Sequence, residues 1–550
     1  SKPFSFVENP RLLIKVFMSF LFATEEELGY DPMVTRDAKG DYIYRIPSTE
    51  GGQQRDRFFR TTASIAEYRS NNITGRMARV WKVVECNSNG DVLSPSEPSR
   101  VLKDVWLEDS ALTESQIQSQ IFEDLKKFFV DKQDERYLAF EKLQPSLSDL
   151  EKDDAYKKYF IKIVTDYEGK RTKPLFPGSP RVRRLFTTIK PLALPITSNR
   201  GGSGTPRPTE SKTTFDKGLR GFAPRKQYRV IFGEVCEAVG DLGTVGEVAD
   251  VLTQAVVALR LMYCAGWVHR DISSGNILAH CSSPSSGWQA KLSDLEYAQR
   301  FAPDLDRNAA SDPKTGTPYF MPHEILTSSY IPNVVPGNHS DEMPDFDQAI
   351  PSNNPEYGHV VVYNFQHDLE SVWWILLWSA TSRVSHTPSI DWSRDIFRNT
   401  MTPSQARLDC LLLSIAATLK ANLHPSLQSF VAPLEVLRTN IYTEYIERRN
   451  VQAMSDHTSY IRIHRIFDAF FNSIRRTRAT WGGAALVTRH HSVVTNNNIS
   501  NPSRRKRTAP HDDSDYVPNA SDFERDSTDE ESVQQRKKPR GLKMSSRGKK

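Results

Sequence analysis

His269-Arg270-Asp271-Ile272-Ser273-Ser274-Gly275-Asn276 lies between two apolar runs, Gly266-Trp267-Val268 before it and Ile277-Leu278-Ala279 after it. The octet therefore reads as a tight loop between buried segments. An Asp and an Asn held on one rigid loop at this spacing suit phosphoryl transfer. Asp271 can accept or orient the proton of an attacking hydroxyl, and the Asn276 amide oxygen can hold a magnesium ion on nucleotide phosphates. His-Arg-Asp also arises by chance in solvated turns, so the octet alone does not decide between the two.

Three further motifs follow in order. Gln289 to Asp294 alternates polar and apolar residues like a short strand and ends in a carboxylate suited to a magnesium ion. Leu295 and Glu296 come next, where such sites usually carry Phe and Gly. Gly316-Thr317-Pro318-Tyr319-Phe320-Met321-Pro322-His323-Glu324 has the form of the end of an activation segment, with Glu324 in the Glu position of Ala-Pro-Glu. His367-Asp368-Leu369-Glu370-Ser371-Val372-Trp373-Trp374 opens a strongly apolar helix, and Asp368 at its start is placed to accept hydrogen bonds from the catalytic-loop backbone. Four motifs in this order and spacing point to a kinase fold. The combination His-Arg-Asp-Ile-Ser (269–273), Asp-Leu-Glu-Tyr-Ala (294–298) and Asp-Leu-Glu-Ser (368–371) resembles the fungal-type protein kinase family. Val101–Trp106 and Glu27-Leu28-Gly29-Tyr30-Asp31-Pro32 fit the same family, and the likeness runs over residues 5–475 with gaps.

The resemblance implies an α+β, two-lobed protein-kinase-like fold, with a small β-rich N-lobe, a larger helical C-lobe and a disordered C-terminal tail. With composition, it divides the chain into an extension at 1–70 packed on the N-lobe, an N-lobe at 71–235 with a flexible insertion at 191–221, a C-lobe at 236–480 with an insertion at 328–362, and a tail at 487–550. Apolar spacing predicts helices over Glu114–Val130, Val248–Cys264, Leu369–Ala380, Ser404–Leu419 and Ile461–Arg476. Strands are expected at Asp41–Ile46, Met77–Glu85, Val101–Trp106, Tyr159–Val164 and Tyr228–Phe232. Leu12–Ala23 reads as an amphipathic helix on the N-lobe, because Lys15 breaks the apolar run and no small-residue cleavage site follows.

The remaining parts of a kinase site can be placed in turn. Lys103, set in an apolar strand, is the candidate to bridge the α- and β-phosphates, and a half-buried ammonium needs an anionic partner. Glu114 matches the family's Glu-x-x-Ile-Gln pattern, and Glu123 on the same helix is the alternative. The phosphate-covering loop, Ile73–Val80, keeps one glycine, Gly75, with Ala78 at the last glycine position and Val80 beside the nucleotide. Fewer glycines hold the backbone amides further from phosphate oxygens. Position alone assigns the nucleotide base to the Glu234–Val239 segment, including Glu234 and Cys236. Arg270 is placed to pair with a phosphate on Ser311, Thr315 or, least of the three, Thr317, or to bond a backbone carbonyl. Asn276 and Asp294 are the metal candidates. Ser273 stands where Ser/Thr kinases carry a Lys, which removes positive charge near the γ-phosphate.

Composition sets outer bounds. At 550 residues the chain has room for a two-lobed domain plus tails. Its net charge of +5 argues against nucleic-acid binding by the whole protein. Five scattered cysteines argue for a reducing intracellular compartment and against zinc or a disulfide framework. No run reads as a membrane span, since Arg260 interrupts the longest. Arg504-Arg505-Lys506-Arg507 and Arg536-Lys537-Lys538-Pro539-Arg540 suit a nuclear import receptor, giving a nuclear or nucleo-cytoplasmic expectation.

The reading is ATP- and magnesium-dependent phosphoryl transfer to Ser/Thr hydroxyls of a protein substrate. Two alternatives stand beside it. A small-molecule kinase of the aminoglycoside or choline kinase type would also lack the catalytic-loop Lys. A pseudokinase scaffold would account for the thinned glycine loop and the Asp-Leu-Glu motif.

Overall fold

Strand-forming sequence dominates the first part of the chain, and a computed structural model shows how it pairs. The structure describes residues 8–50, 53–67, 76–172, 224–283, 287–301, 317–331, 361–448 and 452–487. Seven strands, β1 (Val34–Arg36), β2 (Tyr42–Glu50), β3 (Gln53–Glu67), β4 (Arg79–Cys86), β5 (Arg100–Glu108), β6 (Ile163–Arg171) and β7 (Arg225–Phe232), form one antiparallel sheet. Their order is β1-β2-β3-β4-β5-β7-β6. Side chains alternate across the pleat. One set, Tyr44, Ile46, Phe59, Val83, Leu102 and Ile231, packs together, and Val105, Tyr228, Val230 and Phe232 form a second cluster. Register sets Lys103 of β5 opposite Val80 of β4 and Val230 of β7. Apolar neighbours on both sides leave the ammonium no partner within the sheet.

That partner comes from α2 (Glu114–Val130), which starts on a capping box in which Thr113 and Gln116 satisfy each other's backbone N–H groups. Ile117, Ile121, Leu125 and Phe128 face the core at helical spacing. The short helices α3 (Glu135–Phe140) and α4 (Leu147–Glu151) lead to β6.

The rest of the described chain is mainly helical. The central pair is α5 (Val245–Ala265) and α7 (Phe365–Thr381), with the one-turn α6 (His323–Thr327) between them in sequence. Around them lie α8 (Thr387–Arg394), α9 (Gln405–Leu412), α10 (Ala416–Asn422), α11 (Val431–Glu447), α12 (His457–Arg475) and α13 (Arg478–Trp481). Among the described residues, α5 is long and apolar enough to cross a membrane by length and composition, but most of it is buried inside the protein. Its Arg260 is 1% exposed and pairs with Asp468 of α12. Short strands carry the loops between helices: β8 (Glu237–Ala238), β10 (Ile277–His280) and β11 (Gln289–Leu292) form one sheet, while β9 (Trp267–Val268) pairs with β12 (Gln299–Arg300).

Four expectations are corrected. The first helix, α1 (Pro10–Leu21), has no buried residue and does not pack on the sheet. It is amphipathic as expected, with Arg11, Lys15 and Ser19 on one face, and its apolar face, including Leu12, Phe17, Phe20 and Leu21, is exposed. The segment 1–70 is not a layer laid over the sheet, because β1, β2 and β3 belong to the sheet itself. The strand expected at Tyr159–Val164 begins at Ile163, since Lys152–Tyr159 is 3₁₀-helical and Phe160 and Ile161 are fully buried beneath it. The helix expected over Ser404–Leu419 is two helices, broken at Leu413, whose backbone is extended (φ −110°, ψ 161°). The insertion at 191–221, residues 332–360 of the insertion at 328–362, and the tail from 488 lie outside the described residues.

Candidate functional site

The catalytic octet is held from below. The N-terminal Asp368 of α7 is buried, and its carboxylate accepts from the backbone N–H of His269 (2.7 Å) and of Arg270 (3.0 Å), and from the Tyr363 hydroxyl (2.9 Å). Arg270 has φ 72°, a left-handed conformation costly for a side chain with a Cβ, and these two bonds fix it. The His269 ring bonds the Ser293 carbonyl at 3.0 Å, which ties the octet to the end of β11. Antiparallel pairing of Ile277 with Leu292 brings the two sequence motifs side by side. Ser293 then donates to the Asn276 carbonyl from both its backbone N–H (3.1 Å) and its hydroxyl (2.9 Å).

Asp271, Asn276 and Asp294 converge as a result. The Asn276 amide nitrogen donates to the Asp271 carboxylate (Oδ2, 3.0 Å) and to the Asp271 carbonyl (2.9 Å), so the amide oxygen is the atom Asn276 offers elsewhere. The second Asp271 oxygen, Oδ1, is buried without a hydrogen-bond partner among the described residues. Burial, with the nearby Asp294 charge, pushes the Asp271 carboxyl up to about 7. The segment carrying Thr317 meets the Asp271 carboxylate through the Thr317 backbone N–H.

Lys103 closes the other side. Its ammonium sits 2.7 Å from Asp294 Oδ1 and 3.2 Å from Glu114 Oε2. Glu114 is thus the partner, and Glu123 on the same helix is exposed. The other Glu114 oxygen accepts from the backbone N–H groups of Asp294 (2.9 Å) and Leu295 (3.3 Å). Burial would raise the Asp294 carboxyl, but the Lys103 ammonium and the Arg76 guanidinium hold it below the ordinary carboxylate value. Burial would likewise lower the Lys103 ammonium, and Asp294 and Glu114 raise it instead.

Val80 lies on β4 opposite Lys103. Gly75 lies outside the described residues. Glu234 and Cys236 lie between β7 and β8, and Glu234 pairs its carboxylate with Lys291 at 2.7 Å. Arg270 packs its guanidinium over the Tyr363 ring at 5.9 Å, and the candidate hydroxyls Ser311 and Thr315 lie outside the described residues.

Three supports escaped the sequence reading. Glu324 pairs with the His367 ring at 3.0 Å, where the motif gave no hint of a histidine partner. The buried Arg407 donates to the carbonyls of Tyr319 (2.6 Å) and Met321 (3.0 Å) while lying over the Trp374 ring, so α9 fixes the segment before Glu324. Arg76 reaches Glu296 and Tyr297, two and three residues after Asp294. Its position within the reduced glycine loop, next to Gly75, was the available signal.

No group of three or more His, Cys, Asp or Glu among the described residues is arranged to hold a metal. Asn276 and Asp294 still fit magnesium. They supply a pair of oxygen ligands, as suits an ion that keeps several waters and takes phosphate oxygens from its substrate.

A lysine–glutamate pair across a sheet and helix, facing an Asp/Asn loop and a second Asp at a strand end, defines a protein-kinase-type site. The chain belongs to the fungal protein kinase family, whose model matches residues 1–380. It is also similar to the serine/threonine-protein kinase max-2 of Caenorhabditis elegans, 35% identical over 81 residues, covering 15% of this chain and 11% of that protein.

Proposed function

We propose that this protein is a two-lobed kinase that transfers the γ-phosphoryl group of ATP, with magnesium, to serine or threonine hydroxyls of a protein substrate. The observation that carries the reading is the Lys103 ammonium held between Glu114 and Asp294, facing Asp271 and Asn276. Lys103 is set to hold the α- and β-phosphates, and Glu114 keeps it aimed. Asp294 and the Asn276 amide oxygen would hold magnesium, which when bound draws charge from the phosphate oxygens. Asp271 would orient the attacking hydroxyl and take its proton, and a carboxyl ionising at about 7 suits that task near neutral pH. The backbone of Glu234–Val239 would hold the base. Arg407, His367 and Glu324 brace the segment that in protein kinases receives a polypeptide substrate, which favours a protein over a small molecule. Serine/threonine specificity draws support from the name of the worm relative alone.

Incubation with γ-labelled ATP, magnesium and casein, followed by phosphoamino-acid analysis, tests the reading. Labelled phosphoserine or phosphothreonine is expected. Label found solely on small hydroxylated acceptors would reassign the substrate class.

A further inference from the structure

Ser273 leaves the phosphate end of the cleft short of a cation. Its hydroxyl is spent on the backbone N–H groups of Gly275 and Asn276, each at 3.3 Å, and the residue is 1% exposed. It builds the loop and has no charge to offer. A guanidinium arrives instead from the sheet. Arg76 precedes β4, its carbonyl accepts from the Trp106 N–H of β5 at 2.8 Å, and Met77 beside it takes a left-handed backbone (φ 52°). That turn is a strained one for methionine, and it sets the chain direction at Arg76.

The Arg76 side chain pairs with the Glu296 carboxylate, donates to the Tyr297 hydroxyl at 2.9 Å and lies 5.2 Å from the Tyr297 ring centre. Glu296 replaces the usual glycine two residues after Asp294, and its carboxylate is 4.0 Å from the Lys103 ammonium. Arg76 is therefore one carboxylate away from the phosphate-binding lysine. Its charge also acts on both Asp271 and Asp294, opposing the effect of their burial. A planar guanidinium matches phosphate oxygens as well as it matches a carboxylate.

We infer that Arg76 supplies the positive charge on the γ-phosphate that Ser273 cannot, and that Glu296 holds the guanidinium in place until a triphosphate takes it over. The inference rests on the phosphoryl-transfer reading above. In that step the substrate hydroxyl oxygen bonds to the γ-phosphorus, and the bond to the β–γ bridging oxygen breaks, its electron pair leaving with ADP. The hydroxyl proton passes to Asp271. Arg76 bonds the γ-phosphate oxygens, over which the transition-state charge is spread.

The test uses the full chain, with magnesium, measuring ATP and adenosine affinity by calorimetry and transfer to casein. Arg76→Ala is expected to weaken ATP by roughly 10-fold or more, with adenosine within a few-fold, because a charge-assisted bond to phosphate is lost. Transfer is expected to slow by roughly 10³-fold, the lower range for a transition-state arginine. Adding Ser273→Lys to Arg76→Ala should return part of that rate. Glu296→Gln frees the guanidinium and should leave ATP binding equal or tighter. A purely structural ion pair predicts that Arg76→Ala and Glu296→Gln weaken ATP and adenosine alike. That result, or wild-type ATP affinity and rate in Arg76→Ala, overturns the inference. If wild type binds ATP without transferring phosphate, the proposed function fails while the ATP-to-adenosine comparison still decides on Arg76. If it binds no ATP, both fail.

Discussion

Under the proposed function Asp271 takes the hydroxyl proton, and the environment of its half-buried carboxyl makes two separate predictions. Asp271→Asn keeps the shape but removes the proton acceptor, so transfer to casein should fall by roughly 10²–10⁴-fold. The same substitution should stabilise the nucleotide-free protein. In the unfolded chain this carboxyl ionises near 3.8, whereas burial and the Asp294 charge delay ionisation in the folded protein to about 7. The folded state is therefore penalised increasingly as pH rises from about 4 to about 7, and fully above that. A Tm gain of roughly 3–6 °C is expected at about pH 8, shrinking towards zero at about pH 4. Calorimetric scans at both pH values check the sign, and a gain larger at the acid end would contradict it. Glu114 and Glu123 make a paired control. Glu114→Gln should cut transfer at least roughly tenfold, because a charged partner of the buried Lys103 is lost and two backbone N–H groups meet a weaker acceptor. Glu123→Gln, on the exposed side of the same helix, should leave the rate unchanged.

At the scale of elements, the site is a set of short loops clamped by helix ends and strand ends. Asp368 is the tightest clamp, satisfying two buried backbone N–H groups of the octet. Asp368→Ala should destabilise the chain by roughly 2–5 kcal/mol in denaturant titration, since both donors and the Tyr363 hydroxyl lose their acceptor. A loss below about 0.5 kcal/mol would mean that water replaces the carboxylate there. Much at this scale was legible in the sequence. Glu114–Val130 carries an unbroken apolar stripe and a capping residue, and its helix has those bounds. The Asp368 contacts follow from the likeness to kinases, whereas the β10–β11 pairing was not legible, because Ile277–Ala279 read only as a short apolar run. β3 was not legible, because Arg55, Arg57, Arg60, Thr61 and Thr62 mask its alternation and Phe58 and Phe59 are adjacent. It is a strand because β2 and β4 flank it on both sides. Arg407 and His367 were hidden for a different reason: a buried cation over a tryptophan or opposite a glutamate depends on which helices pack together, and no local pattern encodes that.

At the scale of the whole molecule, the described chain combines a seven-stranded sheet and a helical body, with Lys103 and Glu114 on one side of the cleft and Asp271, Asn276 and Asp294 on the other. Helix α1 stands outside both, with no buried residue. Removing residues 1–21 should therefore shift Tm by no more than about 1 °C, whereas a larger fall would show that α1 has a packing partner. The basic clusters at 504–507 and 536–540 lie beyond the described residues, and nuclear import remains a proposal from sequence alone. A fluorescent fusion of residues 487–550 should enter the nucleus and lose that when both clusters become alanine. A cytoplasmic signal in both forms would end the proposal. The central claim is that one cleft, built from Lys103, Glu114, Asp271, Asn276 and Asp294, performs metal-dependent phosphoryl transfer. Its most direct test is transfer of label from γ-labelled ATP by the full chain, run with and without magnesium beside Asp294→Ala. The account predicts label on casein that requires magnesium and disappears in Asp294→Ala. Equal labelling by wild type and Asp294→Ala, or none by wild type at millimolar ATP and magnesium, would contradict it.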